Sequence, residues 1–227
     1  MQIPTHIGII LDGNRRWAKA RNVSIIEGHR EGVRNLKRIA LYAFDQGVQY
    51  LTVYTFSNEN WDRSKEQVTD LMQIFREALK DIAKEYQKEG VRVRFVGRFA
   101  RFPEDIKEQI PETEKSTKSG ARGTLIMCLG YGGRQEIVDA IKSIASQNIP
   151  QDHIEEETVQ KNMYAPDIPD PDIIIRTGGQ QRLSGFLTWQ SIYSELFFTD
   201  TLWPAFSPEE LEKILEEFAK RQRNFGK

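Results

Sequence analysis

Five short runs of β-branched and aromatic residues, spaced by helical patterns, constrain this chain more than any other feature. They cover residues 7–11, 48–56, 91–97, 124–130 and 172–176. Most are nearly continuous in apolarity, the pattern of strands covered on both faces. A helix is predicted from about Arg30 to Gln46, with Gly47 just past its end. Another begins near Glu66 and sets Val68, Leu71, Met72, Phe75, Leu79 and Ile82 on one stripe, until Gly90 stops it. Further helices follow Pro103, Gly133 and the Ser207-Pro208 pair. Such alternation predicts an α/β fold: a single domain, 1–227, with a central, mainly parallel sheet flanked by helices. No internal repeat or flexible linker divides it, and PDIPDP (166–171) reads as a stiff entry to a strand.

The bulk numbers exclude several classes. A net charge of -1 argues against a nucleic-acid binder working by bulk attraction. Cys128 is the only cysteine, which rules out an internal disulfide and multi-thiolate metal sites and fits a reducing cytosol. There is no signal-peptide pattern and no apolar run near the ~20 residues that span a bilayer. A cytoplasmic protein is expected, one that reaches any lipid from the water side.

Ligands of open parallel sheets bind beyond the carboxyl ends of the strands. There the first run stops at Asp12, followed by Gly13, Asn14, Arg15, Arg16 and Trp17. Ser57, Asn58, Glu59, Asn60, Trp61 and Arg63 follow the second run. Tyr131-Gly132-Gly133-Arg134 follows the fourth, and Arg176-Thr177-Gly178-Gly179 ends the fifth. Asp12 by itself suits a turn, since Asp-Gly is common there. With Gly13 allowing close approach, Asn14 able to cap the next helix and two arginines beyond, the stretch reads as a diphosphate site. A divalent cation would bridge carboxylate and phosphate, as magnesium does with one or two carboxylates plus substrate phosphates. Arg176, Arg182 and Ser184 read as a second anion site, because Arg176 continues an apolar strand where an unpaired charge is costly.

His29 is the best catalytic histidine of the three. A zinc site of three histidines, a Gly-x-Ser-x-Gly elbow, a P-loop and a Gly-x-Gly-x-x-Gly fingerprint are all missing from the sequence. The 68–82 stripe is either core packing or the wall of an apolar tunnel, and spacing does not separate the two.

In order along nearly the whole chain, HIGIILDGNRRWAK, EGH, YTFSNENWDR, YGGR and IRTGGQQRLSGFLTWQSIYSELFFTDTLWPAF resemble the cis-prenyltransferases, the undecaprenyl diphosphate synthase family. The resemblance implies a homodimer that condenses isopentenyl diphosphate with an allylic diphosphate, farnesyl or geranylgeranyl, into a cis-polyprenyl diphosphate with Mg2+. It implies catalytic roles for Asp12, His29 and Asn60, and an allylic diphosphate pocket of Gly13, Asn14, Arg15, Arg16 and Trp17. Ser57, Glu59, Trp61 and Arg63 belong to the substrate-binding block after the second strand. Arg176, Arg182 and Ser184 would hold isopentenyl diphosphate, and Glu195 would complete the metal site with Asp12. The 68–82 stripe would wall the product tunnel. No nucleic-acid partner is implied, and peripheral membrane contact would serve product release.

Four departures stand out. Ile25 replaces a usual arginine, Arg15 a common glycine and Gln180 a common glutamate, and Asn224-Phe225-Gly226 replaces an Arg-x-Gly pattern. Two alternatives therefore remain beside an elongating synthase: a short-chain or irregular prenyl diphosphate synthase, and a non-catalytic prenyltransferase subunit. The proton acceptor is left open among His29, Asn60 and a diphosphate oxygen.

Overall fold

The computed structural model describes residues 2–221. Its strands are β1 (His6–Ile10), β2 (Tyr50–Ser57), β3 (Val91–Gly97), β4 (Gly123–Tyr131), β5 (Ile173–Arg176) and β6 (Glu195–Phe198). They form one sheet in the order β3-β4-β2-β1-β5-β6. Every pairing is parallel, with Ile10 opposite Tyr54 on one side and Arg176 on the other. Crossovers run from β1 toward β2 and β4, and later return past it to β5. The carboxyl end of β1 is thus the point where the winding reverses.

The helices are α1 (Asn14–Ala20), α2 (Ile25–Asp45), α3 (Lys65–Lys88), α4 (Glu104–Thr117), α5 (Gly133–Ser146), α6 (Glu156–Lys161) and α7 (Pro208–Phe218). Apolar residues of α2, α3, α4 and α7 share a core with Ile7, Ile9, Leu51, Val53 and Val93. The opposite face, with Ile10, Ile126, Cys128 and Ile174, is covered by the 163–187 segment through Ile168, Phe186 and Leu187. Burial on both faces explains why the strands lack alternation. No helix among the described residues is long and apolar enough to cross a membrane.

Local rules account for the helix ends. Ser24 caps α2 and Ser64 caps α3, each accepting a backbone N–H three residues on. Ser207 and Glu210 form a reciprocal capping box with Pro208 at the first helical position, as that pair predicted. Gly47 adopts a φ of 99° just beyond α2.

Three sequence expectations need correction. The α2 helix starts at Ile25 rather than near Arg30. Gly28, which weakens a helical reading, is there for packing: a Cβ on it would lie 2.6 Å from the Asn14 carbonyl. Asn14 does not cap α1. Gly13 holds the cap position with φ 119°, and Asn14 instead donates to the Leu11 carbonyl at 3.2 Å. The sequence pattern does not reveal β6, because four edge residues, with Phe197 buried and Leu196 and Phe198 exposed, fall below the length at which periodicity speaks.

His6, 2% exposed at the start of β1, makes ring hydrogen bonds with Thr52 Oγ1 (2.7 Å) and the Pro169 carbonyl (2.6 Å). Burial lowers its pKa to about 4, against weaker opposition from the Pro169 carbonyl and Asp172.

Candidate active site

Beyond the carboxyl ends of β1, β2 and β5 a cavity of about 940 Å³ opens. Its polar end gathers residues that lie far apart in sequence. Asp12 stands in the turn after β1, since the strand stops at Ile10. Its backbone carbonyl accepts from Thr177 Oγ1 (2.8 Å) and from the Trp203 N–H (3.0 Å). Its carboxylate accepts from two guanidiniums, Arg16 at Oδ1 (3.0 Å) and Arg176 at Oδ2 (3.0 Å). Arg176, with a side chain only 7% exposed, also donates to Ser184 Oγ (2.8 Å) and to the Arg182 carbonyl (2.5 Å). The buried Arg176 Nε has no hydrogen-bond partner among the described residues.

Charge at this end is lopsided. Arg15, Arg16, Lys19, Arg63 and Arg176 line the cavity against one carboxylate, Asp12. Arg63 is half-buried, and its pKa is lowered by burial and by the neighbouring Arg15, with Asp12 acting in the opposite sense. Cations held close together out of water destabilise one another unless an anion joins them. The α1 helix has seven residues, so these side chains, rather than a macrodipole, dominate the field.

His29 lies on the first turns of α2 at the same end. Burial, Arg63 and Arg15 lower its pKa to about 4, while Asp70 opposes them. It is therefore neutral at pH 7 and can accept a proton or a hydrogen bond. Unfolding releases His6 and His29 to their ordinary value of 6.5, so the unfolded chain binds more protons between about pH 4 and 6.5. Stability is fully present above that window and is lost as pH falls through it. The two groups together should cost about 2–4 kcal/mol at pH 5 relative to pH 7. Denaturant titrations at both values measure this. A diphosphate bound beside His29 should shrink its share.

The other end of the cavity is apolar. Val33 and Leu36 of α2, Leu71, Ile74, Phe75, Ala78, Leu79 and Ile82 of α3, and Phe95, Met127 and Leu129 of the sheet wall it. The stripe on α3 thus serves both sequence readings, core packing and wall. From Leu71 to Ile82 that wall runs ~17 Å along the helix.

The structure brings Asp12, Gly13, Asn14, Arg15, Arg16, His29, Ser57, Asn60, Arg63, Arg176 and Ser184 to the cavity. Asn60 accepts from the Ser57 N–H at 3.1 Å through Oδ1. Trp17, Glu59, Trp61 and Arg182 are not among the lining residues. Trp17 sits under the Arg21 guanidinium, 4.3 Å from its ring. Trp61 packs edge-on against Phe56 and Phe102. Glu59 is exposed on a 3₁₀ turn. The Arg182 guanidinium donates to Gln180 Oε1 at 2.7 Å. A glutamate there would neutralise it, so this departure leaves the arginine its full charge.

The expected pairing of Glu195 with Asp12 does not form within the chain. Glu195 begins β6 opposite Ile173, at the amino end of β5, and is ion-paired to Arg221 at 2.6 Å. Asp12 lies beyond the other end of the sheet. No cluster of three or more metal-ligating side chains occurs among the described residues. The departure at Asn224 falls outside them.

Lys19, Tyr54, Thr55, Thr177 and Trp203 were not anticipated. Lys19, Tyr54, Thr55 and Trp203 line the cavity, and Thr177 clamps Asp12. All five lie inside the blocks that carry the resemblance, which assigns none of them a role. The loop after β4 braces the site without lining it. Gly133 N–H donates to the Gly185 carbonyl (2.7 Å), while Glu136 accepts from Tyr131 Oη (2.5 Å), the Tyr164 N–H (3.0 Å) and Gln190 (3.2 Å).

A cationic mouth on a long apolar cavity, at the reversal point of a parallel sheet, defines a protein for molecules with an anionic head and a hydrocarbon tail. Residues 10–226 match the Prenyltransf family model, described as undecaprenyl diphosphate synthase. An isoprenyl transferase of Thermotoga maritima is 44% identical over 100% of this chain and 98% of its own length. A farnesyl-diphosphate-specific ditrans,polycis-undecaprenyl-diphosphate synthase of Micrococcus luteus is 42% identical over 99% and 92%. Lavandulyl diphosphate synthase of Lavandula x intermedia, solved with dimethylallyl diphosphate, superposes with a TM-score of 0.91 at 34% identity, covering 99% of this chain and 98% of that one. The chain belongs to the undecaprenyl diphosphate synthase family of prenyltransferases, enzymes that transfer prenyl groups.

Proposed function

We propose that this protein condenses isopentenyl diphosphate with an allylic diphosphate, farnesyl or geranylgeranyl diphosphate, and makes a cis-polyprenyl diphosphate. One observation carries the reading: five cations and one carboxylate close the mouth of an apolar cavity of about 940 Å³. The allylic diphosphate lies against Gly13, Asn14, Arg15 and Arg16, with Arg63 beside them. Isopentenyl diphosphate lies against Arg176, Arg182 and Ser184. Two headgroups account for a cation excess that one would not need.

The donor set suits magnesium. Asp12 offers one carboxylate with lone pairs left over, and two diphosphates would offer the remaining oxygens. Asp12 is the sole protein carboxylate assigned to it. When bound, the ion would stabilise charge on the departing diphosphate. The arginines add to that stabilisation without reorganising. The allylic carbon becomes cation-like, and the double bond of isopentenyl diphosphate attacks it. Neutral His29, Asn60 or a diphosphate oxygen receives the proton whose loss leaves the cis double bond. The apolar wall keeps water from the cationic carbon.

A wall of ~17 Å is far longer than a five-carbon tail requires, which suits a primer or product of several five-carbon units. Residues 1–227 work as one domain in the cytoplasm. The chain pairs with a second copy through the open edge of β6, where Ile192, Tyr193, Leu196 and Phe198 are exposed, and it releases product to a membrane.

The test is incubation of the purified chain with magnesium, labelled isopentenyl diphosphate and farnesyl diphosphate, with products resolved by chain length. Long products are expected. A single short product would reassign the chain to the short-chain or irregular class, and no incorporation would make it a silent subunit. In the same assay Ala78→Phe should fill the wall midway. That cuts off the last ~6 Å before Ile82, so the main product should lose at least about one five-carbon unit.

A further inference from the structure

We propose that the corner joining α1 to α2 docks on an anionic lipid bilayer and sets the cavity mouth against it. The proposal rests on the catalytic reading only in supposing that what leaves the cavity is a lipid.

From Gly13 to Ile26 the sequence holds Arg15, Arg16, Lys19 and Arg21 and not one acid, in a chain whose net charge is -1. Arg16 shares Asp12. Arg15, Lys19 and Arg21 form no ion pair among the described residues. Of the acids nearest the corner, Glu27 pairs with Arg34, and Asp70 shares a cleft with Arg15, Ile25 and His29. Cations outnumber acids at this corner, which leaves a local positive field of the kind that attracts anionic headgroups.

Apolar side chains stand in the same place. Val23 and Ile25 are 41% and 40% exposed, although both are large and branched. The corner is ordered. The N–H groups of Arg21 and Val23 both donate to the Ala18 carbonyl at 3.1 Å, and Asn22 takes the left-handed conformation, φ 55°, that turns the chain. Arg21 lies over the Trp17 ring, which pairs a charge with an amphipathic aromatic as interfacial segments do. Ile25 is the residue that replaces the arginine expected from the resemblance. That change exchanges a charge for hydrocarbon at the lip.

Lys19, Val23 and Ile25 also line the cavity. The rim that would meet headgroups is therefore a rim of the cavity that the apolar wall lines. A hydrocarbon tail leaving there would pass into lipid without crossing water, which a corner elsewhere on the surface would not achieve.

The test needs no isoprenoid, so its outcome is independent of catalysis. Val23→Cys is labelled with a polarity-sensitive fluorophore, Cys128 being buried. Lys118→Cys, exposed beyond α4 at the opposite edge of the sheet, is the control. On phosphatidylcholine vesicles containing phosphatidylglycerol the probe at 23 should brighten and shift to the blue, while the probe at 118 stays unchanged. Co-sedimentation of the full chain should fall by about tenfold or more in the Lys19→Glu, Arg21→Glu double variant and in high salt. Circular dichroism verifies that the variant keeps its fold. Absence of wild-type binding would overturn the proposal. So would equal binding to phosphatidylcholine alone, or equal response of both probes.

Discussion

Asp12→Ala should lower turnover by a factor of about a hundred to a thousand, the usual size of losing one preorganised charge contact at a reacting centre. The carboxylate is the one acid at a mouth of five cations, and no other described carboxylate stands in for it. Its removal also leaves Arg176 buried without a counter-charge. A stability loss of about 1–3 kcal/mol should accompany it, with native circular dichroism retained. Asp12→Asn separates the two effects. The amide oxygen can still accept from Arg16 or Arg176 but not from both, since its NH2 group then faces the other guanidinium, so stability is restored only in part. The amide supplies no charge to hold magnesium, so turnover stays low. Steady-state assays across a magnesium titration, with melting curves for both variants, decide this. Turnover within about threefold of wild type would remove Asp12 from the role.

Arg176→Met should raise KM for isopentenyl diphosphate by about 10- to 100-fold, since charge-assisted hydrogen bonds contribute about 1.5–3 kcal/mol each. KM for the allylic diphosphate should move much less. Methionine keeps most of the stem's volume, so packing is largely preserved. What disappears is a hub joining Asp12, Ser184 and the Arg182 carbonyl. Arg182 and Ser184 would then lose the contact that fixes their loop. Equal shifts for both substrates would mean that the two diphosphates are not divided between Arg176 and Arg16 as proposed.

The contrast between Asp12 and Glu195 shows why some of the site was legible and some was not. Asp12, Arg16, His29, Asn60, Arg63 and Arg176 follow strands or open helices, and each β-strand of a parallel sheet sends its carboxyl end to one edge. Locating the strands therefore located these residues together. Glu195 sits at the start of a strand, so the same rule carries it to the far edge. The strand itself was too short to read. Lys19, Tyr54 and Trp203 went unseen for another reason: nothing in their neighbours' spacing says which way a side chain points across a cavity.

Local chemistry alone determined the parallel α/β plan, because uninterrupted β-branched runs must be covered on both faces. It also determined the helix starts at Ser64 and Ser207, where a short-range hydrogen bond settles the matter. Tertiary structure decided the rest. Gly28 admits α1 against α2, Thr177 and Trp203 pin Asp12 from segments far along the chain, and the α3 stripe becomes a wall only because the sheet leaves a gap beneath it. These outcomes depend on distances between elements, and such distances are set by the packing of side chains that the linear order keeps apart.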